Sequence, residues 1–147
     1  LGGGTAIGAC IGSPESGEIL TAGDHGSTFA AGPVASSAAL AVLDLVDDPE
    51  LLRRVRSLGA EMRESLAALE GVAEVRGRGL MIGVGLEEGI DAADVNAKLL
   101  GKGLIANAPR PDSIRLLPPF VLTDEQAERA VTLMGETLAG YHPNESN

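Results

Sequence analysis

From Asp48 onward the spacing of apolar residues changes period several times, and few folds accommodate that order. Asp48-Pro49-Glu50 is a helix start, with Asp48 at the N-cap and Pro49 at the first helical position. Leu51, Val55, Leu58, Met62, Leu66 and Leu69 follow at spacings of 4, 3, 4, 4 and 3, a single apolar stripe. Arg53, Arg54, Glu61, Arg63 and Glu64 fall on other faces, and Gly71 is placed to end the helix. The period then shortens. Val72–Arg76 and Leu80–Leu86 are β-prone runs on either side of Gly77-Arg78-Gly79, which predicts two strands and a tight turn. Asp91 and Asp94 cap a helix running to about Leu100, which Gly101 and Gly103 end. Leu104–Ala108 and Ser113–Leu117 read as a second strand pair around Pro109-Arg110-Pro111-Asp112. Thr123 and Gln126 form a capping box for a last helix with Ala127, Ala130, Val131, Met134 and Leu138 on one face. Tyr141–Asn147 reads as a polar tail. Helix–strand–strand–helix–strand–strand–helix predicts an α+β layer, an antiparallel sheet backed by helices.

The stretch before Asp48 is less regular. Thr5–Ile11 predicts a short strand of small residues, and Ser13–Gly17 a hairpin or surface loop. Gly23-Asp24-His25-Gly26-Ser27-Thr28-Phe29 then joins glycines to two adjacent hydroxyls. Such a loop holds a phosphate or simply turns the chain, and its composition alone does not separate the two. Pro33 opens a helix over about Val34–Val46 that is apolar on nearly every side, a pattern of helices buried between layers or at an interface. With aromatics at only 2% of the chain, the core has to be built from Ala, Val, Leu and Ile.

Charge and motif content remove several function classes. A net charge of −10 argues against nucleic acid or an anionic membrane surface as partner. No apolar run reaches the ~18 residues of a membrane span. Cys10 is the only cysteine, so no intrachain disulfide forms, consistent with a reducing compartment and a cytoplasmic protein. His25 and His142 have no second ligand at metal spacing, so no metal site is expected. Gly2-Gly3-Gly4 lacks the spacing of a dinucleotide fingerprint. Arg115 alternates with Ile114 and Leu116 in a strand. A half-buried arginine there needs an anionic partner, either a neighbouring carboxylate or a substrate. Arg78, between two glycines, reads as a solvated turn residue, and His25 as a loop or interface residue.

The wording of four stretches adds to this. Leu1–Ala9 (LGGGTAIGA), Gly23–Phe29 (GDHGSTF), Val75–Val84 (VRGRGLMIGV) and Ser113–Gln126 (SIRLLPPFVLTDEQ) together resemble class III (subgroup II) pyridoxal-phosphate aminotransferases. The resemblance covers essentially the whole chain. It implies the C-terminal small domain of a fold-type I pyridoxal-phosphate enzyme plus a remnant of the large domain. Residues 1–32 would be the large-domain remnant, 33–47 an interdomain helix, 48–140 the small α+β domain and 141–147 a tail. It implies that Thr28 gives its hydroxyl and backbone N–H to the cofactor phosphate across a homodimer interface. Ser27 matches the substrate end of that site, and Arg115 matches the arginine that holds the α-carboxylate of glutamate or 2-oxoglutarate.

The family's cofactor-binding lysine lies two residues before the position matched by Leu1. The resemblance therefore implies no catalytic residue in this chain and no activity from it alone. The implied amino donor is N2-acetylornithine, in arginine biosynthesis. Ornithine, succinylornithine and 4-aminobutyrate are the alternatives within the family, and a stand-alone, non-catalytic α+β binding or assembly module is the alternative outside it. Two departures stand out: Ala30-Ala31-Gly32-Pro33 replaces the family's glycine-glycine-asparagine-proline, and Thr5-Ala6 stands where leucine-proline is common. Residues 1–32 are expected to expose apolar surface and unpaired strand edges.

Overall fold

The computed structural model describes residues 1–28, 30 and 32–141. The chain divides into two compact units, Leu1–Pro49 and Glu50–Asn147, and each is described by itself.

α1 (Pro14–Gly17) and α2 (Pro33–Val46) lie in the first unit, and all of α3 (Pro49–Ala67) but its first residue lies in the second. The α3 stripe does what the spacing predicts. Leu58, Met62 and Leu66 are buried, with Val55 and Leu69 packed against them. Four strands follow, β1 (Val72–Arg78), β2 (Met81–Leu86), β3 (Asn107–Arg110) and β4 (Ser113–Leu116), in the spatial order β1-β2-β4-β3. Every neighbouring pair is antiparallel. Because side chains alternate along a strand, Ile82, Val84 and Leu86 of β2 share one face with Ile114 and Leu116 of β4. All five are buried.

Onto that face pack Ala92, Val95 and Leu99 of α4 (Ala92–Gly101). Ala127, Ala130, Met134 and Leu138 of α5 (Asp124–Ala139) join the same cluster. This is the expected antiparallel sheet backed by helices. Fully burying each of the large residues Leu66, Ile82, Leu99, Ile114 and Met134 contributes roughly 1.5–3 kcal/mol.

Local signals place the helix ends. Asp91 caps α4 by accepting from the Asp94 N–H at 2.9 Å. Thr123 and Gln126 make both bonds of the capping box at α5. Two turns differ from expectation. The β1–β2 turn is Gly79-Leu80 rather than Gly77-Arg78-Gly79, because Gly77 and Arg78 stay in the ladder opposite Ile82 and Met81. The turn is anchored from outside: the Arg63 guanidinium donates to the Gly79 carbonyl at 2.9 Å, and a Cβ at Gly59 of α3 would stand 2.1 Å from that oxygen. The second pair is shorter than expected and turns at Pro111-Asp112. Tyr141 is fastened to the fold, its hydroxyl accepting from the Asp91 N–H at 3.0 Å and its ring lying under the Lys98 ammonium. Residues 142–147 of the expected tail, His142 among them, lie outside the described residues.

In the first unit, Thr5–Ile11 is not a strand. A strand needs a partner to take its backbone hydrogen bonds, and among the described residues none pairs with it. Ser13–Gly17 is not a hairpin either but one helical turn, α1 (Pro14–Gly17), with the Ser13 hydroxyl accepting from the Ser16 N–H. The helix α2 (Pro33–Val46) begins at the proline as expected, yet Ala39 is its only buried residue. Leu40 and Leu45 are more than 60% exposed. Among the described residues no helix is long and apolar enough to cross a membrane.

Candidate functional site

The sheet face opposite the helices carries the polar side chains of β1 and β4. Register puts Arg76 of β1, Gly83 of β2, Arg115 of β4 and Asn107 of β3 in one cross-strand row. The adjacent row runs Glu74, Gly85, Ser113, Arg110. The middle strand therefore offers a glycine in both rows, and the side chains of β1 lean across it. A Cβ at Gly83 would meet Arg76 Cγ at 3.4 Å, and one at Gly85 would meet Glu74 Cγ at 2.8 Å. Missing side chains on β2 leave a trough between β1 and β4.

Arg76, Gly83, Ser113 and Arg115 line a cavity of 290 Å³ in that trough. Arg76 is ion-paired with Glu74, and Arg110 with Asp112 at 3.4 Å. Arg115 is exposed and has no ion-pair partner among the described residues. The expectation of a half-buried arginine is corrected here. Helices cover only the Ile114 and Leu116 side of β4, so the intervening residue faces open space. A planar guanidinium can take a carboxylate through two parallel N–H···O bonds.

Ser27 and Thr28 belong to the first unit, in the loop after Gly23, whose φ is +102°. Asp24 holds the loop's start, accepting from the Thr21 N–H at 2.7 Å and the Thr21 hydroxyl at 2.8 Å. The first of these bonds, then the second, keeps the Asp24 carboxyl below the usual carboxylate range. Ser27 and Thr28 are exposed, and the Ser27 carbonyl accepts from the Ala30 N–H at 3.3 Å. Among the described residues the N–H groups of His25, Gly26, Ser27 and Thr28 find no acceptor. Successive free N–H groups beside hydroxyls suit an anionic oxygen. Phe29 and Ala31, and with them part of the Ala30-Ala31-Gly32 departure, lie outside the described residues.

These donors fit the phosphate end of a pyridoxal-phosphate cofactor, and the first unit itself holds no lysine. No lysine or arginine precedes Arg53. Both lysines lie in the second unit, Lys98 paired with Asp94 at 2.9 Å and Lys102 with Glu136 at 3.5 Å.

Fold and donors thus describe an α+β chain with two places suited to anionic groups, the kind of equipment a transferase of amino acids and oxo acids uses. Comparison with known proteins is more specific. The aminotransferase class-III family model matches residues 1–138. Acetylornithine aminotransferase from Corynebacterium efficiens is 43% identical over 139 residues, covering 95% of this chain and 34% of that relative. The crystal structure of acetylornithine aminotransferase from Elizabethkingia anophelis superposes with a TM-score of 0.74 at 31% identity, over 84% of this chain and 34% of that one. Ornithine aminotransferase from Toxoplasma gondii, in a structure with partial pyridoxal-phosphate occupancy at its active site, gives 0.75 at 33%, over 85% and 31%. The chain belongs to the class-III aminotransferase family, and it spans about a third of the length of the curated relatives it matches.

Ser113, Arg76 and Gly83 were not singled out by sequence reasoning as parts of a site. The alternation around Arg115 was visible, but which glycine faces it depends on register between distant strands.

Proposed function

We propose that this chain forms part of an aminotransferase that moves the terminal amino group of N2-acetylornithine to 2-oxoglutarate using pyridoxal phosphate, in arginine biosynthesis, as a cytoplasmic homodimer. Residues 1–32 then belong to a large cofactor-binding domain, 33–47 to the helix between domains and 48–140 to the small domain. The observation that carries the reading is Arg115, an arginine beside the Gly83 trough with no counter-ion among the described residues. It supports a carboxylate-binding role: the guanidinium orients 2-oxoglutarate or glutamate through two parallel N–H···O bonds. Thr28 gives its hydroxyl and N–H to the cofactor phosphate, and Ser27 borders the substrate end. Bound pyridoxal phosphate supplies the electron sink for amino-group transfer. With Lys98 and Lys102 held by carboxylates, no covalent attachment of the cofactor is assigned to this chain.

Titrating the chain with 2-oxoglutarate while following the Arg115 side-chain N–H by NMR tests this. Saturable shifts that vanish in Arg115→Gln are expected. Absence of binding, or equal binding by the variant, would overturn the assignment. Ornithine as donor is the second reading, favoured by an ornithine aminotransferase fold as similar to this one as that of the acetylornithine enzyme.

A further inference from the structure

A buried polar side chain that the fold does not satisfy sits two residues before Arg115. Ser113 is 2% exposed, and its Oγ has no hydrogen-bond partner among the described residues. A hydroxyl taken out of water without a partner destabilises the fold, and its neighbours offer no remedy. Across the ladders Ser113 faces Gly85 on one side and Arg110 on the other. Gly85 brings no side chain, and Arg110 is turned to Asp112. Glu74, lying over Gly85, is ion-paired with Arg76.

Ser113 nonetheless lines the same cavity as Arg115. Residues i and i+2 of a strand share a face about 7 Å apart, within the sweep of an arginine side chain. We infer that the Ser113 hydroxyl is a ligand-binding group, donating a hydrogen bond to an oxygen of the carboxylate compound that Arg115 holds. The inference rests on the Arg115 reading above and extends it. The guanidinium supplies charge and Ser113 supplies a second, directional donor. Gly83, which lines the cavity with them, puts no side chain of its own between the two. The unpartnered hydroxyl of the free chain is then the half of a hydrogen bond that the ligand completes. A buried donor specifies a ligand more sharply than an exposed charge, because a compound lacking the matching oxygen leaves it unpaired.

The test uses the 147-residue chain, with 2-oxoglutarate as the probe. Two quantities are compared in unmodified chain, Ser113→Ala, Ser113→Thr and Arg115→Gln: the dissociation constant by NMR and the ligand-free thermal midpoint. Ser113→Ala is expected to weaken binding about tenfold or more, the share of a hydrogen bond to a charged group. Its ligand-free midpoint should be unchanged or raised, since an unsatisfied hydroxyl has been removed. Ser113→Thr, which keeps the hydroxyl, should bind within a few-fold of the unmodified chain. If Ser113→Ala binds as tightly while Arg115→Gln loses binding, the Ser113 role is overturned and the Arg115 reading stands. A Ser113→Ala chain that is destabilised or unfolded without ligand also overturns it, because the hydroxyl is then structural. If 2-oxoglutarate does not bind the unmodified chain, the Arg115 reading itself fails.

Discussion

Gly83 stands directly opposite Arg115 in the β2–β4 ladder, and Arg76 stands opposite Gly83 on the other side. A glycine at this position of β2 puts no side chain of its own between the two arginine-bearing strands. The cavity therefore exists because of what β2 lacks, and filling it should hurt binding more than folding. A Cβ at Gly83 meets Arg76 only at ordinary contact distance, 3.4 Å, and strands favour β-branched residues over glycine. Gly83→Val should fold with a thermal midpoint equal to or above that of the unmodified chain, yet bind 2-oxoglutarate at least tenfold more weakly. Calorimetry and NMR titration of the same variant check both halves.

Gly59 is the opposite case. The position where its Cβ would sit is 2.1 Å from the Gly79 carbonyl oxygen, which is itself held by Arg63. Backbone cannot rotate out of the way as a flexible side chain can. Gly59→Ala must therefore push α3 off the β1–β2 turn, outweighing the helix propensity alanine gains. Overpacking of this kind costs about 1–3 kcal/mol, and urea unfolding of the second unit's sheet signal should show a loss in that range.

What could be read from the sequence was whatever is settled within a few residues. Thr123 and Gln126 announce the capping box because both of its bonds are local, and the stripe from Leu51 to Leu69 announces α3 for the same reason. The β1–β2 turn is not settled locally, because three candidate turn positions, Gly77, Arg78 and Gly79, lie together. Contacts from α3 select Gly79-Leu80. Tyr141 reads as the start of a tail until Asp91, fifty residues earlier in the chain, is seen to donate to its hydroxyl. Ser113 belongs to the same group: serine in a strand is unremarkable until its burial and missing partner are known.

The Asp24 carboxylate gives a pH prediction. Its pKa is lowered by the Thr21 N–H and then by the Thr21 hydroxyl, so the folded loop binds that proton less readily than the unfolded chain does. The resulting stabilisation is fully present above the ordinary carboxylate pKa, about 3.9. It is lost as pH falls through the lower folded value. In an NMR titration the Asp24 carboxyl should have its midpoint below that of a free aspartate. The Thr21 amide should move with the same midpoint, and the amide's response should disappear in Asp24→Asn. A midpoint at or above the ordinary value would remove the hydrogen bonds from the solution structure of the loop.

The helix α2 exposes most of its large apolar residues. Its composition suits a buried helix, yet Leu40 is 63% and Leu43 46% exposed, and they lie three residues apart, on one helical face. Val34 and Leu45 are also exposed, so most of the helix's apolar surface meets water. Burying such surface is worth about 25 cal/mol per Å², a drive toward association that the entropy of bringing two chains together opposes. The chain should therefore sediment as a concentration-dependent mixture of species. Replacing Leu40 and Leu43 with glutamate should shift it to monomer while leaving the amide spectrum of Glu50–Tyr141 unchanged, because neither residue is part of that unit's core. A chain that stays monomeric at millimolar concentration, with α2 amides protected from exchange, would mean that the helix is stable without cover and that its apolar surface does not drive association.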